Sequence, residues 1–243
     1  MGTVFVFTWC APDPSAEEAL EEALVSAAAW LAHVDQVFST WSPDSPMSRV
    51  RRGELAESAH PEIAAVLDRC RELRETTEGW FDPWAAPGGV DPTGMVKGWA
   101  TEVACGYLER AGAPGASVDG AGDVATVAGR GPDGSGRWRI GLRHPWRPRA
   151  LAGVVELPAG EAIASSGTYE RGEHLWNPAG GSVAARAATV CGPDLASADA
   201  FATALAVGGS AFLAVLEAMD AWEGWFVTPE GAEHETGGFP WAS

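Results

Sequence analysis

Lysine is almost absent from this sequence. Of the 16 Lys and Arg residues only Lys97 is a lysine, and they face 33 Asp and Glu, for a net charge of −17. A chain so short of cations excludes a nucleic-acid surface, which needs clustered Lys and Arg against phosphates. The same deficit opposes electrostatic docking of the whole chain on anionic lipid. Cysteine is scarce as well: Cys10, Cys70, Cys105 and Cys191 lie far apart with no Cys-x-x-Cys pair. That excludes a disulfide scaffold or a zinc knuckle and fits free thiols in a reducing compartment. No apolar run approaches the ~20 residues of a spanning helix. Nor does a basic segment followed by an apolar one open the chain, so no membrane insertion and a cytoplasmic location are expected.

What is present suits a folded core. The 243 residues are 46% hydrophobic and 20% charged, enough to expect one domain over residues 1–243. Thr3–Cys10, β-branched and aromatic, reads as a strand closed by Pro12 and Pro14. Ser15 and Glu18 have capping-box spacing, and Leu20, Leu24, Ala27, Leu31, Val34 and Phe38 then recur every three or four residues, which predicts a long helix. Ser39–Arg52, broken by prolines, reads as a loop. Pro61 opens a second helix with Ile63, Val66, Leu67, Cys70 and Leu73 inward. A third helix is expected from about Lys97 to Arg110, ending at Gly112.

From Ser117 to Cys191 the pattern turns to short strands, at Arg137–Arg143, Gly153–Leu157 and Ala187–Cys191. Helices near Ala196–Val207 and Ser210–Ala221 and a strand near Trp225–Thr228 complete the chain. Helices, a block of strands and helices again predict an α+β fold, an antiparallel sheet flanked by helices.

Several constellations could carry chemistry. Asp199 and Thr203 lie four apart, hence on one helix face, and offer hard oxygens suited to Mg²⁺ bound with phosphates; a helix-dipole partner and a back-bonded threonine are the plainer reading. The stretch from Asp91 to Gly98 is not a phosphate-binding P-loop, because Lys97 does not directly follow Gly94. A turn of small residues ending in lysine at a helix start can still hold a phosphate. Asp119–Asp123 is a glycine turn between strands. Ser165-Ser166-Gly167 lacks the leading glycine of a nucleophile elbow, against a serine hydrolase. His174 stands in a polar, glycine-bearing loop before Asn177-Pro178.

Taken in order, these pieces resemble the ApbE family of FAD:protein FMN transferases. The resemblance rests on Met1-Gly2-Thr3, Phe38-Ser39 with Trp41, Pro43 and Pro46, and Gly79-Trp80-Phe81-Asp82-Pro83. It continues through Asp91, Gly94 and Lys97-Gly98, then Gly120-Ala121-Gly122-Asp123, Ser166-Gly167 and His174 with Asn177-Pro178. It ends in Ala198-Asp199-Ala200 with Ala202-Thr203-Ala204.

The resemblance implies an ApbE-like fold that holds FAD with Mg²⁺ and transfers FMN to a Thr or Ser hydroxyl of a target flavoprotein, releasing AMP. It further implies Mg²⁺ ligands at Asp199 and Thr203 with backbone oxygens of Gly94 and Ala202. FAD contacts are implied at Met1, Trp41, Gly79, Trp80, Phe81, Asp91, Lys97 and Asp123, and a catalytic place at His174 beside Asp199. This sequence departs from the family pattern at Trp80, where a small residue is usual, at Pro92-Thr93, at Ala121 and at Asn177. Hydrolysis of FAD to FMN and AMP, and binding of FAD without chemistry, are the alternative readings.

Overall fold

The computed structural model describes residues 3–10, 16–168 and 175–243. Seven strands form one antiparallel sheet in the order β1-β2-β3-β6-β7-β8-β9. They are β1 (Phe5–Trp9), β2 (Ala116–Gly120), β3 (Val124–Thr126), β6 (Ala162–Gly167), β7 (Ala187–Gly192), β8 (Glu223–Val227) and β9 (Glu233–Glu235). A separate hairpin is made by β4 (Arg137–Arg143) and β5 (Leu151–Pro158). The expected α+β architecture is therefore the one observed, with the sheet drawing strands from both ends of the chain.

Alternation along the central strands divides the core in two. Ala125, Ala162, Ala164, Ala188, Val190 and Phe226 face the helices. Their neighbours Val124, Ile163, Ala187, Cys191, Trp225 and Val227 face the hairpin and Phe239. Successive side chains of a strand point to opposite faces. Every residue of β7 is buried, as expected where a strand is covered on both sides. This hides the period-two signal from the sequence.

The helices are α1 (Glu17–Phe38), α2 (Pro46–Arg51), α3 (Pro61–Thr76), α4 (Thr93–Arg110), α5 (Leu195–Gly208) and α6 (Ser210–Glu217). Helix α1 buries Leu20, Ala27, Leu31, Val34 and Phe38 as the spacing predicts, but its N-cap is Ala16 with no side-chain bond; Ser15 of the expected capping box lies outside the described residues. Helix α2 corrects the loop expected over Ser39–Arg52. Ser45 Oγ accepts the Ser48 N–H at 3.0 Å and Pro46 takes the first turn, so the proline starts this helix instead of breaking it.

Helix α4 begins at Thr93, a turn before the expected Lys97. Asp91 explains the early start: its Oδ1 accepts the Thr93 N–H at 3.1 Å and the Thr93 hydroxyl at 2.7 Å. Lys97 therefore stands in the second turn and not at a helix start. Helix α5 is capped by Asp194, whose Oδ1 accepts the Ser197 N–H at 2.7 Å. A kink at Gly209, with φ of 53°, separates it from α6, which ends at Glu217 and not near Ala221. Helices α4 and α5 pack closely. A Cβ on Gly98 would stand 2.8 Å from Asp199 Cβ, so only glycine admits this approach.

Candidate active site

The close α4–α5 approach builds a recess. Helix α4 supplies Thr93, Gly94 and Lys97, α5 supplies Asp199 and Thr203, and the end of β6 supplies Ser165, Ser166 and Gly167. Trp80, Phe81, Leu175 and Trp176 form an apolar wall. A larger groove of about 1250 Å³ adjoins it, with Thr93, Lys97, Leu175 and Trp176 common to both. Residues far apart in sequence thus converge on Lys97.

Asp199 is buried, 4% exposed, and its Oδ2 accepts the Gly98 N–H at 2.9 Å. In an ideal helix that amide pairs with the Gly94 carbonyl. Thr203, one turn further along α5, has its hydroxyl 3.3 Å from Ser166 Oγ. A Cβ on Gly94 would lie 3.1 Å from Thr203 Oγ1, so the Gly94 backbone and this hydroxyl meet at the recess. Ala202 is wholly buried and its side chain does not reach the recess. Among the described residues no three His, Cys, Asp or Glu gather. The donors are one carboxylate, a hydroxyl and backbone carbonyls, a hard-oxygen set that fits Mg²⁺ sharing its shell with a phosphate-bearing ligand.

Lys97 is held from behind. Its Nζ lies 2.7 Å from Oδ2 of Asp123, a side chain with no exposure. Asp123 Oδ1 accepts the Ser165 N–H at 3.2 Å, and the Asp123 carbonyl accepts the Gly120 N–H at 2.8 Å. Burial pushes the Asp123 carboxyl above the ordinary range, and the Lys97 ammonium pulls it partly back. Asp123 lines neither cavity. The carboxylate expected to meet the cofactor is turned toward Lys97 and β6.

The other expected residues fall in three groups. Trp80 and Phe81 line the recess, while Gly79, with φ of 85°, shapes the turn that delivers them. Trp41 and Asp91 line the groove, Trp41 at 94% exposure and Asp91 with its Oδ2 2.5 Å from Arg51. Met1 and His174 lie outside the described residues.

Sequence reasoning passed over Trp176, whose Nε1 donates to the Asp82 carbonyl at 3.0 Å across the recess wall; its place just before Asn177-Pro178 was the available signal. Ser166, with Gly167 part of the family resemblance, and Ser165, which the sequence offers only beside a failed hydrolase motif, both line the recess without having been named as site residues. Cys70 and Cys105 are not suited to act as nucleophiles, because burial raises both to about 12 and keeps those thiols protonated.

An antiparallel α+β frame with an oxygen-lined recess beside a lysine defines a class of fold before it defines a family. The ApbE family profile matches residues 1–89 and 85–225, and the chain belongs to that family. A stretch of 53 residues is 38% identical to the FAD:protein FMN transferase of Chlamydia muridarum (strain MoPn / Nigg), covering 21% of this chain and 17% of that protein's length. Over nearly the whole chain the fold is similar to the flavin transferase ApbE from Vibrio cholerae. That likeness has a TM-score of 0.79 and 20% identity, and covers 98% of this chain and 95% of the other. The apo flavinyl transferase ApbE of Pseudomonas stutzeri gives a TM-score of 0.75 and 22% identity over 98% and 92% of the two chains. At these identities the structural likeness establishes the fold.

Proposed function

We propose that this chain transfers the FMN half of FAD to a Thr or Ser hydroxyl of a target protein, with Mg²⁺, and releases AMP. The observation that carries the reading is the convergence of Asp199, Thr203 and Lys97 on one recess of an ApbE-family chain. The names of the similar proteins, a FAD:protein FMN transferase and flavin transferases, support it.

Phosphoryl-type transfer depends on positioning and on offsetting charge, and each described residue has a part in that. Asp199 and Thr203, with carbonyls of Gly94 and Ala202, would hold Mg²⁺, which when bound lowers the charge on a pyrophosphate. Lys97 adds a fixed cation at the junction of recess and groove. Trp80, Phe81 and Trp176 exclude water and offer flat apolar walls to a ring system. The target hydroxyl attacks the FMN phosphorus as the AMP oxygen leaves, and His174 is proposed to take the hydroxyl proton.

The test is incubation with FAD, Mg²⁺ and a Thr/Ser acceptor peptide, read by mass spectrometry. A peptide heavier by FMN supports transfer. Free FMN with AMP makes the chain a pyrophosphatase, and unchanged FAD makes it a binder; either result overturns the proposal.

A further inference from the structure

The hairpin of β4 and β5 reverses the charge of the molecule around it. Between Asp133 and Glu156 there is no Asp or Glu, yet Arg137, Arg139, Arg143, Arg147 and Arg149 fall there, five of the 16 cations of a chain at −17. The burial pattern of β4 explains their direction: Trp138 and Leu142 point into the second core while Arg137, Arg139 and Arg143 point outward. Pairing sets Leu151, 57% exposed, opposite Arg143. The turn adds Trp146, 43% exposed, between the arginines. Among the described residues neither Arg147 nor Arg149 forms an ion pair. Arg139 lies 3.5 Å from Glu156 of β5, so the basic character is concentrated at the turn, where Arg147 and Arg149 stand with the exposed Trp146 and Leu151.

The tip is also anchored beside the groove. Arg186 stacks over the Trp146 ring at 5.2 Å, and its Nε donates to the Pro145 carbonyl at 3.1 Å. The carbonyl of the same Arg186 accepts the N–H of Thr168 at 3.1 Å, and Thr168 lines the groove. One residue thus ties the basic tip to the groove wall. A protein that brings a hydroxyl into the groove comes close to Trp146 and its arginines. Arg and Trp are the residues that dominate binding at protein interfaces, and charge complementarity fixes orientation and encounter rate.

Resting on the transfer reading above, we infer that the β4–β5 tip docks the acceptor protein through an acidic segment of that protein. A membrane is the poorer occupant, since a body at −17 is repelled by anionic lipid. A second copy could offer Glu17, Glu18, Glu21 and Glu22 of α1, but nothing would then bring a hydroxyl to the groove.

The test uses the full chain and a fluorescein-labelled Glu-rich peptide carrying one Thr, with binding read by anisotropy. Reversing two exposed turn charges, Arg147→Glu with Arg149→Glu, should weaken binding by about tenfold at low ionic strength. High salt should do the same to the unaltered chain. The Arg147→Lys, Arg149→Lys variant should retain binding, and FAD titration should be unchanged in both variants. Equal peptide binding by the Glu variant would overturn the inference. So would arginine-dependent binding to phosphatidylcholine–phosphatidylserine vesicles without peptide binding, or arginine-dependent self-association without it.

Because anisotropy needs no chemistry, the two ideas fail separately. Arginine-dependent peptide binding without FMN transfer sinks the function and leaves the docking surface. Transfer that proceeds equally in the Glu variant leaves the function and sinks the surface.

Discussion

Asp123 and Asp199 are both buried carboxylates beside α4, yet the regions around them differ in kind. Asp123 stands behind the recess wall with no exposure, an ammonium at 2.7 Å and a backbone N–H on its other oxygen. Asp199 stands on the recess itself, 4% exposed, and takes a backbone N–H from Gly98. The first is an internal support, since burying a carboxylate costs several kcal/mol unless a charge answers it. The second faces the cavity with a set of neutral oxygens that suits a cation. Of the two buried acids, Asp199 lines the recess and Asp123 does not, while Asp123 pairs with Lys97.

That contrast can be broken by exchanging stability for activity. Asp123→Ala removes the carboxylate 2.7 Å from the Lys97 ammonium and should cost about 3–5 kcal/mol of stability in urea unfolding, the largest effect expected. Burial raises the folded carboxyl above its unfolded value, so the native state binds that proton more readily. Its contribution is full below the unfolded value and is lost as pH rises through the folded one. Asp123→Asn should therefore flatten this part of the stability profile on the acid side; an unaltered slope would mean that another group titrates.

Asp199→Ala should cost less stability, about 1–3 kcal/mol for the unpaired Gly98 N–H. It should nonetheless lower FMN transfer by orders of magnitude and abolish the response to added Mg²⁺. If Asp199→Ala proved the less stable of the two and still transferred FMN, the roles drawn here would be reversed.

The same contrast marks what could be read from sequence. Asp199 and Thr203 were legible because a helix puts residues four apart on one face. Lys97 stood out by being the only lysine. The partnership of Lys97 with Asp123 was not legible. It depends on β2 and β3 turning Asp123 back under α4, a packing fact with no periodic signature. The strand Ala162–Gly167 was missed for a related reason: buried on both faces and rich in small residues, it lacks the alternation by which a half-buried strand is recognised. Helix α2 was missed because two prolines suggested a break, whereas Pro46 follows a serine cap and starts a turn.

Lys97→Met sharpens the comparison from the other partner. It keeps the length of the stem and removes the charge that Asp123 supports. If the ammonium meets the phosphates of FAD, affinity should fall by about 1–3 kcal/mol in fluorescence titration. Asp123→Asn, which retains the ammonium and loses its support, should show a smaller loss. Equal dissociation constants for Lys97→Met and the unaltered chain would leave the lysine as a structural partner of Asp123 alone.

The smallest effect belongs to Trp41, which lines the groove and not the recess. It is 94% exposed, so its removal takes no apolar area out of the core. Trp41→Ala should change stability by less than about 0.5 kcal/mol, as surface substitutions do. A large aromatic ring left in water beside a groove of about 1250 Å³ has area to give only to a ligand. Covering one face with a flat ring is worth about 0.5–1.5 kcal/mol beyond burial, so FAD affinity should weaken by roughly three- to tenfold while turnover at saturation holds. Trp41→Phe should restore most of the affinity, because a smaller aromatic face still stacks. If both variants bind FAD as the unaltered chain does, the ligand is confined to the recess around Lys97 and the groove serves the acceptor alone.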